Sequence, residues 1–249
     1  MRERRLLSLP AGGLAVVVGA HGAIGAALLR ELQARGRFAA VIGFSRKSQV
    51  ASSVASPFMA VMDVCLESSV AEASRRIADT GLPLRLVINA TGFLHGDGYK
   101  PEKSWCAIDP EHMAKSFAVN AIGAALLVKH FVPLLALEGK AVFATLSAKL
   151  GSIGDNHLGG WYSYRASKAA LNQIIHTAAV ELGRRKRESL CVALHPGTVM
   201  SPMSNPFRME GLAVCAPEIA AERLLTVVDR LRKVDNGGFF DYEGRSLSW

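Results

Sequence analysis

Two hydrophobic patterns alternate along the chain and predict its secondary structure. Short, nearly continuous apolar runs are typical of strands that are buried on both faces. They predict strands at Leu14–Gly19, Phe38–Phe44, Phe58–Val64, Leu84–Asn89, Lys140–Ser147, Ser189–His195 and Gly238–Asp241. Between these runs, apolar residues recur every three or four positions, which indicates amphipathic helices. The expected helices are Ala23–Arg35, Glu67–Asp79, Glu111–Leu137, Trp161–Arg185 and Pro217–Leu231.

The alternation of strand and helix predicts the class of fold. The sequence has no repeat, low-complexity linker or shift of composition, so residues 1–249 are expected to form a single domain. This alternation is typical of an α/β protein with a doubly wound, mostly parallel sheet, here of seven strands, with helices on both faces. Ligands bind such sheets at the carboxyl ends of the strands. The turns that follow the strands are therefore the candidate functional positions.

Composition narrows the possible partners and the cellular location. The chain is 50% hydrophobic and carries a formal net charge of +8. Its basic residues fall in short clusters without a nucleic-acid-binding motif, so a solvated surface is expected rather than nucleic acid. No apolar run approaches the roughly 18 residues of a membrane span, and no membrane partner is expected. The four cysteines are far apart and are expected to be reduced and buried in a cytoplasmic protein.

The turn after the first predicted strand has the composition of a phosphate-binding loop. Small residues let the backbone approach a pyrophosphate, and the free N–H groups at the start of the next helix bind it. Both the preceding strand and the following helix are predicted, so a dinucleotide site is favoured over a plain tight turn. The residues of this loop are Gly19, Ala20, His21, Gly22, Ala23, Ile24 and Gly25.

The turn after the second predicted strand bears on the choice of cofactor. Folds that bind NAD usually place an acidic residue near this position, yet no Asp or Glu occurs between residues 38 and 60. The strand ends instead in Ser45, Arg46 and Lys47. A guanidinium pairs well with a 2′-phosphate, so Arg46 favours NADP(H), with Ser45, Lys47 and His21 as further donors. A surface Arg–Lys pair is the alternative.

Tyr164 and Lys168 are the candidate catalytic pair. They lie four residues apart in a predicted helix and so share one face. A phenol has a reference pKa of about 10, and a nearby ammonium lowers this pKa by stabilising the phenolate. Such a tyrosine could act as a general acid towards a carbonyl oxygen. The spacing is common by chance, so its weight comes from its place in a chain that also carries a dinucleotide loop.

At this point the sequence resembles the short-chain dehydrogenase/reductase family over nearly its whole length. The first loop resembles the family's TGxxxGIG motif, with Val18 for its threonine and Ala23 for its middle glycine. Tyr164 and Lys168 match the YxxxK signature. The remaining similar positions are Asp63 and Val64 at the adenine, the NNAG-like turn of Asn89, Ala90, Thr91 and Gly92, the helix residue Asn120, and the PG turn of Pro196, Gly197 and Val199 with Ser201 beyond it. The run from Ser147 to Lys168 and the ending Gly238–Trp249 are similar to the branch of C-factor and sniffer-type carbonyl reductases.

The resemblance implies a Rossmann-type fold and a role for each motif. Residues 11–110 would mainly bind NADP(H), residues 111–249 would mainly carry catalysis and substrate binding, and residues 200–216 would form a substrate lid. Tyr164 would protonate the carbonyl oxygen, Lys168 would bind the ribose and lower the tyrosine pKa, and Asn120 would hold a water in a proton relay. No metal is expected. A homodimer or homotetramer is expected.

The family's catalytic serine is the uncertain position. If the loop before Tyr164 is about four residues longer than usual, Ser147 is selected, and this assignment is favoured. An alignment on the serine pair before a glycine places Ala148 there instead, and Ser152 is a third candidate. The leading hypothesis is thus an NADP(H)-dependent carbonyl reductase acting on a small molecule. A dinucleotide-binding regulatory protein with little turnover, and a protein that binds anionic surfaces, are the alternatives.

Overall fold

The computed structural model describes residues 6–46, 59–186, 188–207 and 213–249. Its strands are β1 (Leu14–Val18), β2 (Ala40–Ser45), β3 (Met59–Val61), β4 (Leu84–Asn89), β5 (Ala141–Leu146), β6 (Ser189–His195), β7 (Thr198–Val199), β8 (Val214–Cys215) and β9 (Phe239–Asp241). Its α-helices are α1 (Ala23–Arg35), α2 (Glu67–Ala78), α3 (Pro110–Phe117), α4 (Gly123–Phe131), α5 (Tyr162–Arg185) and α6 (Pro217–Arg230).

A seven-stranded sheet forms the centre of the protein, in the order β3-β2-β1-β4-β5-β6-β9. Each pair of neighbouring strands in it is parallel, so the predicted doubly wound fold is confirmed. The chain winds outwards in both directions from β1 and β4, which makes the carboxyl ends of these two strands the topological switch point. A separate short pair, β7 with β8, lies beyond the end of β6.

Helices cover both faces of the sheet because successive strand residues point to opposite sides. On one face, Leu28 of α1 and Leu224 of α6 pack over strand residues that include Val17. On the other face, Leu127 of α4 and Leu171 of α5 pack over alternate strand residues. The nearly continuous apolar strands of the sequence are explained by this burial on two sides.

The predicted long helix from residue 111 to residue 137 is interrupted. A π-helical turn at Ala118–Ile122 separates α3 from α4, and a 3₁₀ turn at Val132–Leu134 ends the segment. Single π turns inside α-helices frequently mark functional sites because they interrupt the regular hydrogen-bond ladder. Here the π turn contains Asn120, one of the predicted site residues. The hydrophobic periodicity predicted one continuous helix and did not reveal this turn.

The same segment differs from the expectation that no stretch of the chain is long and apolar enough to span a membrane. Pro110–Leu134 is long and apolar enough to cross a membrane by length and composition alone. Within the described residues, Leu127 and Phe131 of this segment are buried in the core beneath the sheet. One third of the apolar stretch is buried in this way, against the strands and neighbouring helices.

Candidate active site

The glycine loop lies at the switch point, where side chains larger than hydrogen are excluded at two positions. Gly19 has φ of +81°, and a Cβ there would come within 3.0 Å of the Ala90 backbone. A Cβ on Gly25 would lie 2.2 Å from the Gly19 carbonyl oxygen. These contacts hold the start of α1 close to β1 and to the turn after β4. The predicted loop therefore adopts the strand–turn–helix arrangement that its motif requires.

The N-terminus of α1 carries no side-chain cap. Gly22 is the N-cap residue, no side chain caps the helix, and its first turn contains no acidic residue. The N–H groups of Ala23, Ile24 and Gly25 are thus not satisfied by a capping side chain, and the helix dipole favours an anion there. These residues fit a dinucleotide pyrophosphate, and His21 lies exposed in the same loop.

The residues predicted to contact the adenosine follow the ends of β2 and β3. Ser45 is buried at the end of β2, and the exposed Arg46 follows it. Lys47 lies outside the described residues. Asp63 accepts a 2.9 Å hydrogen bond from the Cys65 N–H, which shapes the turn before α2. Val64 is buried against α4 and does not present its side chain to solvent.

The turn after β4 is organised by Asn89. Its amide donates to the Thr145 hydroxyl across the sheet at 3.0 Å, and its Oδ1 accepts from the Thr91 N–H at 3.1 Å and the Thr91 hydroxyl at 2.7 Å. Asn89 therefore fixes the shape of the turn that includes Ala90 and Gly92. A Cβ on Gly92 would lie 3.9 Å from Lys168 Nζ, so this turn brings the cofactor half of the site to the catalytic pair.

Tyr164 and Lys168 lie in the first two turns of α5, as predicted. Both are buried, with 8% and 3% exposure. Nζ of Lys168 is 5.9 Å from the centroid of the Tyr164 ring and donates a 2.8 Å hydrogen bond to the Leu146 carbonyl at the end of β5. The sheet and the helix thereby hold the pair at one fixed separation.

The electrostatics of this pair differ from the expectation. Burial raises the pKa of Tyr164 to about 12 and lowers the pKa of Lys168 to about 7. Each shift follows from the cost of burying a charge, and this cost outweighs the predicted lowering of the tyrosine pKa by the ammonium. At neutral pH Tyr164 is consequently protonated, which is the state that a general acid needs.

Asn120 connects the two halves of the site through its side chain. Its Oδ1 accepts from the Phe93 N–H at 2.8 Å, and its Nδ2 donates to the Phe93 carbonyl at 2.8 Å and to the Ser167 hydroxyl at 2.9 Å. Ser167 in turn donates to the carbonyl of Tyr164 at 2.8 Å. Asn120 therefore ties the loop after β4 to α5. Its predicted part in a proton relay stays a prediction.

The three candidates for the catalytic serine position have different surroundings. The Ser147 hydroxyl donates to Asn172 Oδ1 at 2.6 Å and is buried between β5 and α5. The Ser152 hydroxyl accepts from the Asp155 N–H and donates to the Trp249 carbonyl. Ala148 belongs to the same apolar cluster as Tyr164. These contacts favour the alternative in which Ala148 holds the position.

Apolar side chains surround Tyr164 and form a small hydrophobic cluster apart from the two main cores. Its centre consists of Leu94, Ala148 and Tyr164, and the half-buried side chains packed on it are Leu150, Trp161, Met203 and Phe207. The ring centroids of Trp161 and Phe207 are 4.9 Å apart, and those of Trp161 and Tyr164 are 6.3 Å apart, both in edge-to-face contact. The predicted lid thus contributes Met203 and Phe207, while residues 208–212 lie outside the described residues. Leu94 and Leu150 were missed because no periodic pattern marks loop residues.

The turn after β6 lies at the same edge of the sheet. Pro196 and Gly197 connect β6 to β7, and a Cβ on Gly197 would lie 2.9 Å from the Tyr242 ring. Val199 is buried in β7. The Ser201 hydroxyl accepts from the Ser204 N–H at 3.2 Å, which begins the lid segment. The predicted PG turn is therefore present, and it follows β6 next to the end of β5.

The exposure of the cysteines differs in part from the expectation. The four cysteines are free, as expected, but Cys65 and Cys106 are exposed, contrary to the expectation that all would be buried. Among the described residues, no group of three His, Cys, Asp or Glu side chains could hold a metal ion.

The sequence and the fold together identify the class of this protein: it belongs to the short-chain dehydrogenase/reductase family of oxidoreductases. The family model described as enoyl-(acyl carrier protein) reductase matches residues 19–229, which is more than half of the chain. The chain is 34% identical to the C-signal protein of Myxococcus xanthus over 148 residues, covering 58% of this chain and 85% of that protein.

Two further similarities cover almost the whole chain. The 1-hydroxy-2-glutathionyl-2-methyl-3-butene dehydrogenase of Rhodococcus sp. (strain AD45) is 29% identical over 236 residues, covering 94% of this chain and 98% of that protein. The NADPH-bound carbonyl reductase from chicken fatty liver superposes with a TM-score of 0.82 at 26% identity, covering 99% of this chain and 98% of that chain. The resemblance to carbonyl reductases is thus confirmed at the level of family and fold.

Proposed function

We propose that this protein reduces an apolar aldehyde or ketone to the alcohol with NADPH, and that Tyr164 is the general acid. The observation that carries the proposal is the placement of the Tyr164 phenol. It lies in an apolar cluster, one helical turn from the buried Lys168, at the sheet edge that also holds the glycine loop. The similarity to an NADPH-bound carbonyl reductase supports the same activity.

The choice of NADPH rests on Arg46. It follows β2, and the sequence between residues 38 and 60 contains no Asp or Glu that could accept hydrogen bonds from a ribose. A guanidinium forms charge-assisted hydrogen bonds with a 2′-phosphate. The uncapped start of α1 would hold the pyrophosphate, and Lys168 would contact the ribose of the nicotinamide half. When bound, the dinucleotide supplies the hydride.

The residues of the chain supply the proton and the surroundings. Tyr164 would give its phenolic proton to the carbonyl oxygen as the carbonyl carbon receives the hydride, and the products would be an alcohol and an oxidised dinucleotide. A protonated Lys168 would stabilise the phenolate left on Tyr164. The apolar side chains of Leu94, Trp161 and Phe207 would exclude water and favour an uncharged, apolar substrate. With Ala148 in the serine position, Tyr164 would be the main donor to the carbonyl oxygen.

The proposal is tested by following NADPH oxidation with a panel of aldehydes, ketones and quinones. Apolar carbonyl compounds should be reduced, and Tyr164→Phe should lower kcat about 10²- to 10⁴-fold, as is typical for loss of a general acid. Tyr162→Phe, in the same helical turn, is the matched control and should retain activity. Full activity of Tyr164→Phe would refute the role of this residue.

A regulatory protein with little turnover is the second candidate. The alternative in which Ala148 holds the serine position and the similarity to the C-signal protein favour it. Tight NADPH binding without oxidation by any carbonyl compound on the panel would support this candidate.

We further propose that the protein is a cytoplasmic homodimer or homotetramer. Light scattering on the purified protein would test the assembly, and fractionation of cells would test the location.

A further inference from the structure

The backbone that leads into α5 has an unusual conformation directly before Tyr164. Gly159, Gly160 and Trp161 have φ angles of +65°, +65° and +54°. Trp161 is the N-cap residue of α5 and forms no side-chain capping hydrogen bond. A left-handed conformation is costly for a bulky residue and persists only where neighbouring contacts enforce it. The contacts that enforce it here therefore also set where the first turn of α5 begins.

Glu102 provides those contacts. It is buried, with 3% exposure, in the loop before α3. Its backbone carbonyl accepts a 2.5 Å hydrogen bond from the Trp161 N–H. Both of its carboxylate oxygens lie 3.3 Å from the Ser163 N–H, and the Ser163 hydroxyl donates to Oε1. A carboxylate at this place satisfies free N–H groups and interacts favourably with the positive end of the helix dipole.

His112 links the same carboxylate to the helix before Asn120. Its Nδ1 lies 3.4 Å from Glu102 Oε1, and its ring stacks on Tyr99 with centroids 5.2 Å apart. The His112 ring also contacts the Phe93 ring edge-on. The backbone N–H and carbonyl of Phe93 are both hydrogen-bonded to the Asn120 side chain. Glu102 therefore lies between α5, which carries Tyr164, and α3, which continues into the π turn that carries Asn120.

We propose that Glu102 is a positioning residue for Tyr164. Its carboxylate fixes the first turn of α5 through Ser163 and so sets the position of the phenol in the neighbouring residue. Among the described residues, its hydrogen bonds and ion pair are with Trp161, Ser163 and His112, so it would act on the phenol through the helix. This inference rests on the proposed role of Tyr164 as the general acid.

The main test is Glu102→Gln, an isosteric change that replaces one acceptor oxygen with an amide donor. A misplaced catalytic group can cost up to about 10²-fold in rate, so we expect kcat to fall about 10- to 100-fold. The KM for NADPH should stay close to the wild-type value, because the glycine loop and Arg46 are untouched. The primary isotope effect with deuterated NADPH should rise, since the chemical step becomes slower. Glu181→Gln, an exposed carboxylate of α5, is the matched control and should leave all three quantities unchanged.

A double-mutant cycle separates positioning from general destabilisation. If Glu102 acts through Tyr164, Glu102→Gln should have little further effect on the residual rate of a Tyr164→Phe protein, because coupled residues are not additive. An equal fold-loss in both backgrounds would overturn the proposal and indicate a structural role only. A kcat for Glu102→Gln equal to that of Glu181→Gln would overturn it as well.

A second variant keeps the test decisive if Glu102→Gln fails to fold. Ser163→Ala removes one donor to the carboxylate and leaves the buried acid in place. It should lower kcat several-fold in the wild-type background and not in the Tyr164→Phe background, and an unchanged kcat would overturn the proposal. Failure of the proposed function is distinguishable, because it would appear as absent turnover in the wild-type protein or as full activity of Tyr164→Phe.

Discussion

The Ser147 hydroxyl donates a 2.6 Å hydrogen bond to Oδ1 of Asn172, one helical turn beyond Lys168 on α5. The bond is buried and joins the end of β5 to the helix that carries the catalytic pair. We predict that Ser147→Ala lowers the free energy of unfolding by about 1–3 kcal/mol, because a buried amide oxygen loses its donor. Its kcat should stay close to the wild-type value. Denaturant unfolding and steady-state kinetics measure the two quantities.

Ser104→Ala is a suitable control for this change. Ser104 is exposed, and its side chain forms no capping hydrogen bond, so its replacement should affect neither quantity. A large loss of kcat for Ser147→Ala with unchanged stability would reverse the interpretation. It would restore Ser147 as the serine that binds the carbonyl oxygen.

Ala148 offers the complementary experiment. It lies in the apolar cluster with Tyr164, so a hydroxyl at this position could donate to the same carbonyl oxygen. A neutral hydrogen bond contributes roughly 0.5–1.5 kcal/mol, and we predict that Ala148→Ser raises kcat/KM by roughly two- to twelvefold. Ala166→Ser, on the exposed side of α5, is the control. A kcat/KM for Ala148→Ser equal to that of the control would show that the carbonyl is bound elsewhere.

Much of the fold and of the candidate dinucleotide loop could be predicted from the sequence, because both depend on local patterns. Apolar runs predicted the seven strands of the sheet, although the third strand ends at Val61 and not at the predicted Val64. The glycine loop was recognisable because the turn requires small residues at Gly19 and Gly25. Tyr164 and Lys168 were found because their spacing places them on one helical face.

Contacts between distant parts of the chain could not be predicted. The hydrogen bond from the Ser147 hydroxyl to Asn172, 25 residues away, could not be foreseen from loop length, and the choice of Ser147 as the catalytic serine stays a prediction. Glu102 bonds to Ser163, 61 residues away, and no pattern around Glu102 marks it as buried. The pKa of Tyr164 depends on burial by the surrounding apolar side chains, which is a property of the assembled site.

Arg46 is predicted to determine the preference for NADPH over NADH. Charge-assisted hydrogen bonds contribute about 1.5–3 kcal/mol, so Arg46→Ala should weaken NADPH binding by roughly 10- to 150-fold. NADH, which lacks the 2′-phosphate, should bind the variant and the wild type equally well. Titration of each dinucleotide against protein fluorescence measures both affinities.

Arg30→Ala is the control for this prediction. Arg30 lies on the exposed face of α1, where it pairs with Glu218 at 2.8 Å, and its loss should leave both affinities unchanged. Equal losses of NADPH and NADH affinity in Arg46→Ala would contradict a contact with the 2′-phosphate. They would indicate instead that Arg46 supports the turn after β2.

The pKa values of the catalytic pair predict the pH dependence of carbonyl reduction. Burial places the pKa of Lys168 at about 7 and that of Tyr164 at about 12. As pH rises through 7, Lys168 loses its proton and can no longer stabilise a developing phenolate, while Tyr164 remains protonated. We predict that kcat/KM for reduction falls above pH of about 7, and that this fall reports Lys168 rather than Tyr164.

Lys168→Arg tests this assignment, because a guanidinium stays charged throughout the accessible pH range. The variant should be less active at neutral pH, since the longer planar group fits the buried position poorly. Its kcat/KM should nevertheless lack the fall above pH 7. Lys149→Arg is the control: this lysine is exposed in the turn after β5, and the variant should retain the wild-type pH profile. If kcat/KM of Lys168→Arg still falls near pH 7, the titration belongs to another group. The charge on Lys168 would then not be what assists proton transfer from Tyr164.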